Sequence, residues 1–326
     1  MASIAIVGAG MAGLTALQAL KQQGHHVTVF DKSRGSGGRL ASKKVGNASW
    51  DMGAQFMRSH TDAFAQQLQQ WQQQGWIEPW PVAPWVIDSA GARPSPDEVE
   101  RFVSVNRMTA LSRQLVACAD EFATSTRIVR CQHDQQQWYL HDDEQQCHGP
   151  FDALIVNLPP AQAQPLLGDS PQLQQQCQVE MLPCWTLLLA FEQPLDTAID
   201  AAFVKHGAIG WLARNNSKPQ RDAHETWVIQ ANHHWSQQRL EHPRELVQQE
   251  LTTAFAQALQ LQIPRATEQW LHRWLYAIAA EPLQRGALSD PQRRLSVCGD
   301  WCHSGAIEGA WLSGRQAGND INTFLE

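Results

Sequence analysis

No stretch of this 326-residue chain is apolar for anywhere near the roughly 18–20 residues that a membrane span needs. The N-terminal apolar run 4–7 has no basic leader and breaks at Gly8, so it reads as a buried strand and not as a signal peptide. Positive charge is also in short supply. Against 32 Asp and Glu stand 25 Lys and Arg, and no long basic stripe gathers them, which argues against a nucleic-acid partner. The 7 cysteines are scattered and odd in number, whereas disulfide frameworks are dense and usually even, so reduced thiols in a cytoplasm are expected. Cys298, Cys302 and His303 fit no common zinc spacing, and no metal is expected. No internal repeat is visible. What is present is a 43% hydrophobic chain, long enough for two domains around sizeable cores.

The hydrophobic patterning predicts elements that are segregated along the chain. Residues 3–31 read as strand, Gly-rich turn, helix and strand, with Leu14, Leu17 and Leu20 at helical spacing. Residues 60–75 and 108–118 read as helices, 76–97 as Trp- and Pro-rich loop and edge structure, and 126–149 as short strands. Ala153 to Val156 is a buried strand. Residues 185–191 and 226–231 are further strands, 243–261 is an amphipathic helix, and Leu295 to Cys298 with 306–324 close the chain as strand and helix.

Three motifs carry chemistry. The first is Gly8-Ala9-Gly10-Met11-Ala12-Gly13, which follows a strand, opens a helix and precedes Asp31 at the end of the second strand. That context makes it a dinucleotide-binding turn. Gly8 permits the turn, Gly10 the approach of a pyrophosphate, and Gly13 close helix–strand packing. Amides near Met11 and Ala12 face the phosphates, and Asp31 accepts from a ribose. The second motif is the Gly-rich run Arg34-Gly35-Ser36-Gly37-Gly38-Arg39, followed by Asp51-Met52-Gly53-Ala54-Gln55-Phe56, whose Gly-Ala pair suits a backbone lying against a flat ring. The third is Gly299-Asp300-Trp301, leading through Gly305 and Ile307 into a helix start. Such a helix terminus places about half a positive charge against whatever it faces.

Taken together, VGAGMAG, FDKSRGSGGR, DMGAQF, RPSPDE, WLARNNSKP, RWLYA, GALSD and VCGDWCHSG–IEGAWLSG resemble the renalase family of the flavin amine-oxidase superfamily across residues 7–314. Two departures stand near the implied substrate cavity: Phe56-Met57-Arg58-Ser59-His60, and Arg107 before Met108 where the family has glycine. The resemblance implies an α/β fold: a discontinuous Rossmann-like FAD-binding domain (1–59, 101–169 and 290–326) with an inserted α+β substrate domain (60–100 and 170–289). It implies FAD contacts at Ala12, Asp31, Lys32, Arg39, Ile128, Asp300 and Ile307. Gly8, Gly10, Met11, Gly13, Gly38, Gln55, Phe56 and Gly299 complete the expected cofactor set.

The same resemblance implies substrate contacts at Phe56, Met57, Arg58, Ser59 and His60, at Ser95, Pro96 and Asp97, and at Trp185 and Trp301. The implied reaction takes hydride from 2- and 6-dihydro isomers of NAD(P)H and, with O2, yields NAD(P)+ and hydrogen peroxide. No acid–base residue is required, because a dihydropyridine becomes aromatic as it loses hydride; the task is to hold two flat rings face to face. Trp185, Trp274 and Trp301 are candidate aromatic surfaces. Arg214, Asn215 and Lys218 read equally as phosphate or amide contacts or as a surface turn, and His233-His234 read better as a polar edge than as bases. Phe56, Tyr276 and the tryptophans also suit the aromatic cage of an amine oxidase, and a flavoprotein redox sensor is the reading from another class.

Overall fold

The computed structural model describes residues 1–326. A six-stranded sheet runs in the order Leu288–Asp290, Leu295–Val297, Ala153–Val156, Ser3–Val7, His26–Phe30, Glu121–Ala123. All neighbours are parallel except the edge pair Leu288–Asp290 with Leu295–Val297. Parallel strands are covered on both faces and therefore read as continuous apolar runs. Here alternate residues divide the faces. Ile4, Ile6, Val27, Val29 and Ile155 join the core with Leu14, Leu17 and Leu20. Ala5, Val7, Phe30, Leu154, Val156, Leu295 and Val297 join a second core with Ile128, Trp138, Leu140 and Phe151 of the three-stranded sheet Ile128–Asp134, Gln137–Asp142, Cys147–Phe151.

The helices Met11–Gln22 and Ala306–Leu325 cross at unusually close range. A Cβ on Gly314 would stand 2.0 Å from Ala12 O, and one on Gly318 would stand 2.7 Å from Ala19 Cβ. The glycine pair lets the end of the chain touch the helix that follows the Gly-rich turn. The helix Asp62–Gln73, expected with the inserted domain, packs Phe64 and Trp71 into this same core, with Phe64 against Trp311 at 5.4 Å between ring centroids.

The middle of the chain builds a seven-stranded sheet in the order Glu268–Ala279, Met181–Phe191, Glu225–Ala231, Ile209–Arg214, Ala201–Val204, Trp85–Asp88, Gly91–Pro94. One face packs on the helix Arg244–Leu259 through Val247, Leu251, Phe255 and Leu259, which meet Leu187, Leu189, Leu212, Ile229 and Leu271. The opposite face meets the hairpin Ser42–Val45/Ala48–Asp51, where Trp50 packs on Leu188, Ala190 and Val228. No helix is long and apolar enough to cross a membrane.

Candidate cofactor and substrate site

The Gly-rich turn is held as tightly as its sequence requires. Gly8 sits at φ +105°, and a Cβ there would meet Asn157 O at 2.2 Å; on Gly13 it would meet Gly8 O at 2.4 Å. Asn157 follows the strand Ala153–Val156 and donates from Nδ2 to Gly8 O at 3.1 Å. The helix Met11–Gln22 has Gly10 at its N-cap and no side-chain cap, so its first amides are left to face a ligand. Asp31 accepts from Ala9 N at 2.8 Å and from Ser33 N at 2.7 Å, which fixes its carboxylate at the mouth of the turn. Thr126 N donates to Asp31 O at 2.9 Å and so brings Ile128 beside that strand end. Lys32 is exposed and reaches Gln162 Oε1 at 3.2 Å. A side chain at Gly8 or Gly13 would collide with Asn157 or the Gly8 carbonyl and break this turn, whose uncapped helix amides fit a pyrophosphate.

The second and third motifs meet in space. Arg39 donates to both Asp300 oxygens, at 2.9 and 2.5 Å, and to Ala277 O at 3.1 Å. The two residues expected as separate cofactor contacts thus form one bidentate pair that ties the Gly38–Leu40 turn to the Gly299-Asp300 turn. Gly38, at φ +52°, lies against Gly10 Cα. Gly305 caps the helix Ala306–Leu325 with no side-chain cap, and Ile307 sits half-buried in its first turn. Glu308 reaches back instead of capping. It accepts from His60 N, Thr61 N and Thr61 Oγ1 at 2.7–2.9 Å, and its Oε2 lies 2.7 Å from His60 Nδ1. Burial would raise the Glu308 carboxyl, but these bonds outweigh it and hold it low.

The turn Gly53–Gln55 lies under Arg39: a Cβ on Gly53 would stand 2.0 Å from Arg39 O and 3.3 Å from the Trp274 ring. Trp274 Nε1 donates to Met52 O at 3.2 Å, and Gln230 Nε2 donates to Gly53 O at 2.6 Å. Behind the turn is a buried charge cluster. Asp51 takes Lys218 Nζ at 3.3 Å and Arg221 Nη2 at 2.8 Å, together with Met108 N and Ser42 Oγ. Gln55 accepts from Lys218 at 3.2 Å, and Asn215 bonds to the backbone of Asp51 and Ser49. Burial pushes Asp51 up, yet Lys218, Arg221 and the Met108 amide bring it down to about 2. Lys218 is pushed down to about 8, by burial first and then by Arg221. At Asn215 and Lys218 the conspicuous segment 211–219 is therefore not a surface turn; both are buried and support the Gly53 turn.

Sheet register assembles the rest. Phe203, Trp211, Gln230, Thr186 and His272 are consecutive cross-strand partners, a single row on the face that looks toward the Gly53 turn. Phe56 stands over the Trp211 end, with ring centroids 5.6 Å from Trp211 and 6.4 Å from Trp80. Arg101 Cζ lies 5.1 Å from the Phe56 ring and Lys218 Nζ 5.3 Å from the Trp80 ring. Asp97 pairs with Arg101, and Arg58 helps keep its carboxyl low against the opposing effect of burial. Ser95 bonds to Asp97 N at 3.3 Å, while Pro96 and Arg58 are exposed beside it and Ser59 is half-buried.

Three expected substrate contacts lie elsewhere. Trp185 is 1% exposed on the opposite face of the sheet, packed toward Arg244–Leu259, with Nε1 donating to Arg239 O. Trp301 is 0% exposed beneath Gly299, with Nε1 donating to Leu158 O. Met57 is buried, its backbone bridged to Phe102. His60 is engaged by Glu308. His233 is bound to Pro183 O, and His234 lies in a short exposed helical turn. In their place the structure offers Trp80, Arg101, Thr186, Trp211, Gln230 and His272, of which only Trp211, at the start of WLARNNSKP, lies in a linear motif. A surface cleft lined by Gln18, Gln22, Gln66 and Gln70 is separate from this site.

Residues 6–71 match the family described as NAD(P)-binding Rossmann-like domain, and residues 83–322 match Flavin containing amine oxidoreductase. A 4,4'-diapophytoene desaturase of Staphylococcus aureus is 44% identical over 50 residues, which span 15% of this chain and only 10% of that relative. Cyclohexylamine oxidase from Brevibacterium oxydans shares the fold over 99% of both chains, with TM-score 0.78 and 15% identity. Putrescine oxidase does so with TM-score 0.75 and 13% identity, again over 99% of both. With most of its length matched, the chain belongs to the flavin containing amine oxidoreductase family, and FAD is its cofactor.

Proposed function

We propose that this protein oxidises the 2- and 6-dihydro isomers of NAD(P)H, returning NAD(P)+ and reducing O2 to hydrogen peroxide. One observation supports this above others: the aromatic cluster of Phe56, Trp80 and Trp211 beside the Gly53 turn, which we take as the wall of the substrate recess, has no unengaged carboxylate. Asp51 and Asp97 are both taken by cations, and the one titratable member of the cross-strand row, His272, is kept toward its neutral form by burial. Bound FAD supplies the hydride acceptor. The chain itself binds and aligns. Gly8 to Gly13 and the adjacent helix start receive the pyrophosphate, while Gly53 lets backbone lie against a flat ring. Gln230 and Trp274 hold that turn, and Phe56, Trp80 and Trp211 flank a planar substrate. Such positioning discriminates isomers, because an error of about 1 Å in register costs on the order of a hundredfold in rate.

We further propose the domain division 1–59, 101–169 and 290–326 for cofactor and 60–100 and 170–289 for substrate, except that the helix Asp62–Gln73 goes with the cofactor side on which it packs, and with Arg58, Ser95 and Asp97 at the substrate rim. The test is anaerobic stopped-flow reduction by separated 2-, 4- and 6-dihydro isomers. Rapid bleaching of the flavin band by the 2- and 6-isomers, with the 4-isomer at least tenfold slower, is expected. Bleaching by monoamines alone would assign the protein to amine oxidation instead.

A further inference from the structure

The aromatic recess is already occupied by the chain's own cations. An amine-binding cage offers electron-rich ring faces to an incoming ammonium. Here Arg101 lies over Phe56 and Lys218 over Trp80. The carboxylates nearby do not balance them. Asp97 is taken by Arg101, and Asp51 is shared between Lys218 and Arg221, so three cations face two carboxylates. The surplus positive charge is buried: the side chains of Arg101, Lys218 and Arg221 are at most 1% exposed. Charges in such surroundings are weakly screened.

The recess also holds donors without acceptors. Trp211 Nε1 and Arg101 Nε are buried with no hydrogen-bond partner, and both residues adjoin Phe56. Buried donors in proteins are nearly always paired, so two orphans around one half-buried ring point to a ligand acceptor.

We propose that Lys218, Arg101 and Trp211 are specificity-determining residues that make this recess a subsite for a hydrogen-bond acceptor or anion and turn away a substrate ammonium. Trp211 gives an N–H to the acceptor, Arg101 gives a second, and Lys218 supplies the surplus charge from behind the Trp80 ring. The proposal rests on the recess being the substrate site. It departs from the amine chemistry of the solved relatives while keeping their fold.

Three probes share one ring and differ only in head group: benzoate, benzamide and benzylamine. Their dissociation constants are measured anaerobically on the FAD-loaded protein by titration calorimetry and by the shift of the flavin band. Benzoate and benzamide are expected to bind, with benzylamine on the order of a hundredfold weaker than benzoate. Trp211→Phe keeps an aromatic face but removes the indole N–H together with the five-membered ring; the lost N–H should weaken benzoate and benzamide about fivefold relative to benzylamine, the size of one neutral hydrogen bond. Lys218→Met leaves Asp51 paired with Arg221. It should cut the benzoate-to-benzylamine preference about tenfold and leave benzamide within about twofold, with Lys218→Arg restoring the preference.

A pH profile separates charge from structure. The charged groups acting on Lys218 are Asp51 and Arg221; Arg101, paired with Asp97, lies beyond the Phe56–Trp80 ring contact, and the carboxylates of Glu78 and Asp222 are bound to Gln220 and Ser49. Of these, Lys218 is the group whose ionisation is brought to about 8. The advantage of benzoate over benzamide should fade above that pH in the parent and be flat in Lys218→Met. Benzylamine binding as tightly as benzoate, bleaching by benzylamine, absence of binding by all three probes, or equal loss of all three in each variant would overturn the proposal. Neither benzoate nor benzamide donates hydride. A failure of the dihydropyridine assay with this selectivity intact would therefore overturn only the substrate named above.

Discussion

Asp51 stays ionised in the protein interior because two cations and a backbone amide converge on it. Its folded-state value of about 2 lies below the ordinary 3.8, so the contribution to stability is complete above that ordinary value and is lost as pH falls toward 2. A shift of this size corresponds to about 2 kcal/mol. Chemical denaturation at pH 6 and pH 3 should show about half of that loss, roughly 1 kcal/mol, in the parent and a smaller one in Asp51→Asn. At pH 6, Asp51→Asn should itself cost about 3–5 kcal/mol, since it leaves Lys218 and Arg221 as buried like charges. Equal stability of parent and variant at pH 6 would show that the cluster supports nothing. At this scale the sequence was partly legible. Gly8, Gly10 and Gly13 announce their purpose by spacing, because a phosphate turn is local. Asp51, Lys218 and Arg221 do not, because their meeting depends on how the hairpin Ser42–Val45/Ala48–Asp51 docks on a distant sheet.

Elements position these residues through close contact and register. The crossing of Met11–Gln22 with Ala306–Leu325 leaves no room for a side chain at Gly314, since a Cβ would lie 2.0 Å from Ala12 O. Gly314→Ala should therefore cost about 1–3 kcal/mol and, by displacing the Ala12 peptide at the phosphate turn, lower the FAD-to-protein ratio on purification. Gly168→Ala, where nothing lies within 4 Å, is the control and should change neither quantity measurably. A Gly314→Ala protein with parent stability and full flavin would separate that helix crossing from cofactor binding. Register explains the misplaced tryptophan. In the strand Met181–Phe191, Trp185 and Thr186 are adjacent and point to opposite faces, so a wall assigned to one belongs to the side occupied by the other. The family resemblance and its aromatic character favoured Trp185; only the pairing of Thr186 with Gln230 and His272 reveals which face looks toward Gly53.

Across the whole molecule, the Arg39–Asp300 pair joins turns from opposite ends of the sequence. If it acts as one clamp, Arg39→Ala and Asp300→Ala should each weaken FAD, and the double variant should be little worse than either single. A coupling of about 1–3 kcal/mol in a double-mutant cycle is expected. Strict additivity of the FAD dissociation constants would return the two residues to independent contacts. The architecture as a whole was readable because its signals sit at the two ends of the chain with a strand-rich middle between them. The recess was not, because Phe56, Trp80, Arg101 and Trp211 come from separate segments and share no spacing. The close crossing of the first and last long helices also bears on how the protein is made. On the ribosome, the helix Met11–Gln22 emerges early, while its partner, the strand Leu295–Val297 and Asp300 are still untranslated. The phosphate turn must wait, with its apolar helix face bare, for nearly the whole chain to follow. Flavin capture is thereby deferred until the helix Ala306–Leu325 has been made, and a nascent chain stalled short of residue 306 should carry no FAD and be prone to aggregate.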